Sequence, residues 1–169
     1  MRALLPSLCL TLALALARPA LAAPVDLSGT WVLDLKASGD LDPILEVSGA
    51  SWLERQAAKG LSVTRTIHQD GDTLRIEIDT SAKDTQETVT VDGVARQRTT
   101  ERGKAATVTH RWKGAAWVSE SVGANEAGQS VRVTQTNTLS ADGATLTTRI
   151  RLVRGEEAPI VVDRVYRRQ

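Results

Sequence analysis

Ile160-Val161-Val162-Asp163-Arg164-Val165-Tyr166-Arg167-Arg168 alternates with the two-residue period of a β-strand. Val162, Arg164 and Tyr166 share one face of it, and Val161, Asp163 and Val165 the other. An arginine and a tyrosine two residues apart place a guanidinium beside a phenol. Turned into an enclosed interior, that pair can grip a carboxylate; turned outward, it is simply solvated. The alternation leaves both meanings open.

Working back from this strand, the chain repeats one theme. Short runs rich in Thr, Val, Ile and Arg are separated by turn signals at Asp70-Gly71-Asp72, Ser81-Ala82-Lys83, Asp92-Gly93, Arg102-Gly103-Lys104, Lys113-Gly114, Asn125 to Gly128, Asp142-Gly143 and Arg154-Gly155-Glu156. The runs predict strands near 62–69, 73–79, 86–91, 95–101, 105–112, 115–122, 130–139, 145–153 and 160–168. An earlier strand over Leu27 to Leu35 makes ten. Between it and the second, the period changes. Leu41, Ile44, Leu45 and Ser48 follow helical spacing, with Asp40 or Asp42 as the expected cap and Pro43 in the first turn. Trp52, Leu53, Gln56 and Ala57 predict a second short helix ending near Gly60. Ten sequential strands with one helical interruption predict an all-β, up-and-down antiparallel barrel, an arrangement that removes exposed edges.

The first 22 residues read as an export signal: Met1-Arg2, a Leu/Ala-rich run over Ala3 to Ala17, and the small-x-small site Ala20-Leu21-Ala22. The run is too short and interrupted for a stable membrane span. Cleavage after Ala22 leaves residues 23–169 as one expected domain and removes Cys9, the only cysteine, so no disulfide, thiol nucleophile or cysteine ligand remains. It also removes Arg2 and Arg18, taking Lys+Arg from 21 to 19 against 20 Asp+Glu, a formal charge of −1. That balance argues against nucleic acid as a partner, since binding phosphate calls for basic excess.

Four features in order resemble the fatty-acid-binding-protein branch of the calycins. Gly29-Thr30-Trp31-Val32-Leu33 is similar to the family's opening Gly-Thr-Trp-x-Leu. Gly49 to Ala58 resembles its Gly-Val-x-aromatic-x-x-Arg-Lys-x-Ala helix, and the interval on to Asp70-Gly71-Asp72-Thr73-Leu74 matches its helix-to-hairpin spacing. Arg164-Val165-Tyr166 is similar to the terminal Arg-x-Tyr that binds the ligand carboxylate in that family. The resemblance implies a hollow barrel under a helix-turn-helix lid over 41–59. It also implies non-covalent binding of a small hydrophobic or amphipathic ligand, a fatty-acid-like carboxylate, with Arg164 and Tyr166 at the head group. The chain departs from the family at Leu41, where phenylalanine is usual, and on the eighth strand. Registering there on Asp142-Gly143 puts Thr138 in the slot of the family's second arginine, with Arg132 further back on the same face.

Arg164, Tyr166, Arg132 and Trp52 are therefore the candidate ligand-binding residues. Trp52 either lines the entrance or anchors the lid onto the rim. Trp31 is expected as a core plug at the bottom of the barrel, and Trp112 and Trp117 as a pair packed across the hairpin at Lys113-Gly114. The absence of phenylalanine, with Tyr166 as the only tyrosine, leaves little aromatic mass to fill the lumen and favours a hollow barrel. His68 and His110, the only histidines, lack metal-ligand spacing, and no nucleophile motif, phosphate loop or dinucleotide fingerprint occurs. No enzyme activity, cofactor or metal is expected. The expectation is an exported monomer, periplasmic or secreted, that carries its ligand inside the barrel. The alternative is an exported barrel that acts as an interaction module with no small-molecule ligand.

Overall fold

The computed structural model describes residues 24–100, 103–125 and 128–169. The expected export signal lies outside them, as do residue 101, the last of the expected strand 95–101, and residues 102, 126 and 127, which fall in two of the expected turn regions. The elements are β1 (Gly29–Leu33), α1 (Asp42–Val47), α2 (Trp52–Ala58), β2 (Val63–Asp70), β3 (Thr73–Thr80), β4 (Asp84–Thr90), β5 (Ala95–Thr99), β6 (Ala105–Lys113), β7 (Ala116–Ala124), β8 (Ser130–Leu139), β9 (Thr145–Arg154) and β10 (Ile160–Arg168). All ten strands were expected, with ends that differ by a few residues.

The strands form one curled antiparallel sheet in the order β4-β3-β2-β1-β10-β9-β8-β7-β6-β5. β10 closes against β1, with Leu33 opposite Tyr166 and Trp31 opposite Arg168. The other ends of this order, β4 and β5, are not hydrogen-bonded to each other, so the barrel stays open along that seam. It is fastened there by side chains. Arg98 of β5 donates to Glu87 of β4 at 3.1 Å, and the Trp112 indole donates to Asp72 at 2.9 Å.

Register fixes which face of each strand is inside. The aliphatic rows turn inward because burial of apolar area is the dominant favourable term. In β10 the inward row is Val162, Arg164 and Tyr166, all buried. Opposite them in β9 stand Ile150, Thr148 and Leu146. In β8 the partners of these three are Gln135, Asn137 and Leu139.

Two apolar clusters cap the lumen. At the closed end Leu27, Trp31, Leu33, Ile67, Leu74, Ile76, Val89, Trp117, Leu146 and Tyr166 pack together. Trp31 is the plug expected there: its indole donates to the Leu27 carbonyl at 3.0 Å, and the Arg168 guanidinium lies 4.3 Å from its ring centre. Trp112 and Trp117 are direct cross-strand partners, as their turn predicts, with Gly114 supplying the positive φ of 57° that the tight turn needs.

At the open end Ile44 of α1 inserts between Leu152 and Val162. The helix pair is held by its own chemistry more than by burial, since α2 contributes no buried residue. Ser51 and Glu54 form a reciprocal capping box at the start of α2. Arg55 pairs with Asp42 and Glu46, and Lys59 with Asp42. Gly49, at φ 78°, terminates α1 with its N–H on the Glu46 carbonyl. The expected aspartate at the start of α1 is present one residue before the N-cap position. Leu41 occupies the N-cap position without a side-chain bond, and Asp40 instead accepts from the Asp42 N–H at 2.9 Å.

Trp31→Ala removes the fully buried plug and leaves Arg168 without its ring. We expect a loss of about 3–5 kcal/mol, read as a lowered urea midpoint.

Candidate functional site

The site begins with a mismatch between burial and charge. Arg164 is only 8 % exposed, and Tyr166 6 %. Arg164 sits on the inward row because Val162 and Tyr166, two residues either side, must be buried and the strand period carries it with them. Its guanidinium donates to the Gly39 carbonyl at 3.1 Å. No carboxylate among the described residues lies within ion-pair distance of it.

A second inward guanidinium reaches the same region from β2, which only β1 separates from β10 in the sheet. Arg65 shares the inward row of β2 with Val63 and Ile67. Its side chain crosses the lumen to Asn137 Oδ1 and Thr148 Oγ1, both at 3.4 Å. It also stacks 4.9 Å from the centre of the Tyr166 ring. Thr148 is the cross-strand partner of Arg164, so both arginines converge on one region. Arg65 also forms no ion pair among the described residues, and its buried Nε has no partner.

Thr148 and Asn137 are themselves fully buried, and the threonine hydroxyl donates to Asn137 Oδ1 at 2.7 Å. The result is two cations, a phenol and two small polar groups inside the barrel, with acceptor capacity in deficit. Buried charges are normally paired, and a missing partner is costly. An anion with two acceptor oxygens is the chemical complement.

The other two sequence candidates stand elsewhere. Arg132 belongs to the outward row of β8, alternating with inward Val131 and Val133, and pairs on the surface with Glu120 at 3.0 Å. Its side chain is 51 % exposed. Thr138 lies on the same outer face. Trp52 is 67 % exposed on α2 and is not in the wall of either cavity described below. Arg65 was missed, although its phase with Val63 and Ile67 marks it as inward.

Two cavities flank the Ile44 cluster. One of about 510 Å³ opens between the helix turn and β6–β8, lined by Val47, Gly49, Ala106, Gly123, Val131 and Val133 among others. The second, about 290 Å³, lies under the helices and has a mixed wall that includes Arg164, Arg55, Lys59 and Asp42. Val131 and Val133 on one side and Leu41 on the other pack against Ile44, Leu152 and Val162, so that cluster is the partition between them.

His68 is exposed on the outer face, but His110 is buried on the inward row of β6, its ring 5.9 Å from that of Trp117. Neither of its ring nitrogens has a hydrogen-bond partner. Burial pushes the imidazole below its ordinary value, opposed in part by the charge of Glu87.

No model of a known protein family matches this chain, and no curated protein sequence does. Solved structures do. The fatty acid transporter REP1-NXSQ is similar at TM-score 0.64 and 22% identity, covering 85% of this chain and 96% of that one. Apo Caenorhabditis elegans lipid binding protein 8 is similar at TM-score 0.67 and 18% identity, covering 84% and 94%. Human cRBP IV is similar at TM-score 0.63 and 19% identity, covering 86% and 100%. The chain therefore has the fold of the fatty-acid-binding proteins, as the resemblance in its sequence implies.

The buried His110 generates a prediction about pH. Glu87 faces it from β4, Arg96 and Arg98 from β5, Asp92 from the intervening turn, and Trp117 and Ser119 from β7. In the unfolded chain the imidazole takes a proton near its ordinary 6.5, in the folded chain only at lower pH. Below that value the unfolded state binds more protons and stability falls; above it the residue contributes no pH dependence. We expect the urea midpoint to drop between about pH 7 and about pH 5.5, and His110→Gln to drop less over the same interval.

Proposed function

We propose that this protein binds a fatty-acid-like carboxylate inside its barrel, with Arg164, Arg65 and Tyr166 holding the head group. The observation that carries the reading is the pair of inward guanidiniums whose partners are all neutral. A carboxylate between them would supply the missing acceptors as charge-assisted hydrogen bonds. The larger cavity, of about 510 Å³ with a mainly apolar lining, falls in the size range of small-molecule sites and would take the chain. Apolar contact would provide most of the affinity and the arginines the orientation. The fold neighbours described as a fatty acid transporter and a lipid binding protein support the same reading.

Withdrawal of Ile44 would join the two cavities, giving the helix pair the role of a lid. The Met1-Arg2 start, apolar run and Ala20-Leu21-Ala22 site support export and a role outside the cytoplasm. The reading is binding and not catalysis: neither nitrogen of the one buried histidine is hydrogen-bonded to a carboxylate that could orient it as a base.

Displacement of a fluorescent fatty acid tests the assignment. Arg164→Leu and Arg65→Leu should each weaken binding by about tenfold, the loss of one charged hydrogen bond. Arg132→Leu should stay within about twofold of the wild type, because that residue is outside. Unchanged affinity in both lumen variants would remove the head-group assignment. Failure to bind any lipid, with none co-purifying by native mass spectrometry, would favour the interaction-module alternative.

A further inference from the structure

The lumen has a second polar region that a plain fatty acid leaves unsatisfied. Its centre is His110, 7 % exposed, with both ring nitrogens unpartnered. Beside it the Trp117 indole N–H is also buried and unpartnered. Ser119, the cross-strand partner of His110, adds an inward hydroxyl. Buried polar atoms in folded proteins nearly always find partners, so three unpaired ring nitrogens on two touching residues call for an account.

Their position is set by register. Arg164, Thr148, Asn137, Trp117 and Trp112 are successive partners across β10, β9, β8, β7 and β6, a single rung around the barrel wall. His110 stands one inward position further along β6. The inward row of β6 runs Ala106, Val108, His110, and that of β7 runs Gly123, Ser121, Ser119. Ala106, Gly123 and Ser121 line the larger cavity, so the same two rows lead from its wall down to the histidine. Asn137 links the two polar regions: its Oδ1 accepts from Thr148 and Arg65, and its Nδ2 donates to the Trp117 carbonyl at 3.3 Å.

The two regions differ in chemistry. The arginine region offers charged donors and selects an anion. The His110 region offers the indole N–H as a donor and an imidazole that, when neutral, is one donor and one acceptor. A hydroxyl is the group that can donate to one ring nitrogen and accept from its neighbour. Building on the carboxylate-binding reading, we propose that the ligand is an oxygenated fatty acid, with its carboxylate at Arg65 and Arg164 and a mid-chain hydroxyl at His110 and Trp117. A site with unpaired buried polar groups discriminates against the analogue that lacks the matching hydroxyl.

The test compares octadecanoic acid with its 10-hydroxy and 12-hydroxy derivatives by displacement of a fluorescent fatty acid, and reads the ratio of affinities. The wild type should prefer at least one hydroxylated acid by about fivefold to tenfold, the gain of one buried hydrogen bond. In His110→Leu that preference should fall to about one. Trp117→Phe, which keeps a large aromatic ring and removes the N–H, should reduce it in part. Equal affinities in the wild type, as expected if water alone satisfies His110, would overturn the proposal while leaving carboxylate binding intact. So would a preference that survives in His110→Leu. Failure of octadecanoic acid and both derivatives to bind would overturn the underlying reading together with this one.

Discussion

The fold depends on the short ladder between its first and last strands. β1 and β10 form the one strand ladder between the β2–β4 half of the sheet and the β5–β9 half, and only three residues of β1 are paired with β10. Further backbone bonds extend the junction, from the Asp34 and Gly39 N–H groups to the Val165 and Asp163 carbonyls and from Gln169 to Thr30. A slip of one residue here would exchange the inner and outer rows of one half relative to the other. Leu33, Trp31 and Tyr166 on one face oppose that slip, because each would move from a dry cluster into water. The register that buries Tyr166 also fixes Arg164 inside.

That forced burial makes the lumen electrostatically unfinished. A guanidinium taken from water into a protein interior carries a penalty of several kcal/mol even after relaxation. The hydrogen-bond partners of Arg164 and Arg65 are a carbonyl, an amide oxygen and a hydroxyl, two of them at 3.4 Å, longer than a good hydrogen bond. The Tyr166 ring adds a modest attraction to Arg65. These contacts position the two groups without neutralising them. Local rules broken in one place of an otherwise consistent fold are the usual mark of a site.

Much of this was legible in the chain. The ten strands and the helix interruption follow from turn signals and alternation. The interior was readable by a simple extension: an arginine in phase with aliphatic neighbours goes inside with them. That rule admits Arg65, between Val63 and Ile67, and Arg164, next to Val162 in its row. It rejects Arg132, whose immediate neighbours Val131 and Val133 take the inner row and send it out to Glu120. Looking for the family's second arginine on the eighth strand led away from β2, where Arg65 turns inward. Trp52 is a different case. Helical spacing predicts a face, but α2 is held by its capping box and ion pairs and leaves the tryptophan in water.

The seam between β4 and β5 gives the barrel an elastic circumference. Every other neighbouring pair of strands is tied by a backbone ladder that stretches only by breaking. Across this one, beyond the connecting residues 91–94 at one end, the tie is the exposed Glu87–Arg98 pair, an interaction contributing about 0–1 kcal/mol, with the Trp112–Asp72 bond as a pivot near the closed end. The girth of the lumen can therefore change at little energetic cost and without loss of a strand. Because a surface ion pair sets that cost, it falls further as ionic strength rises.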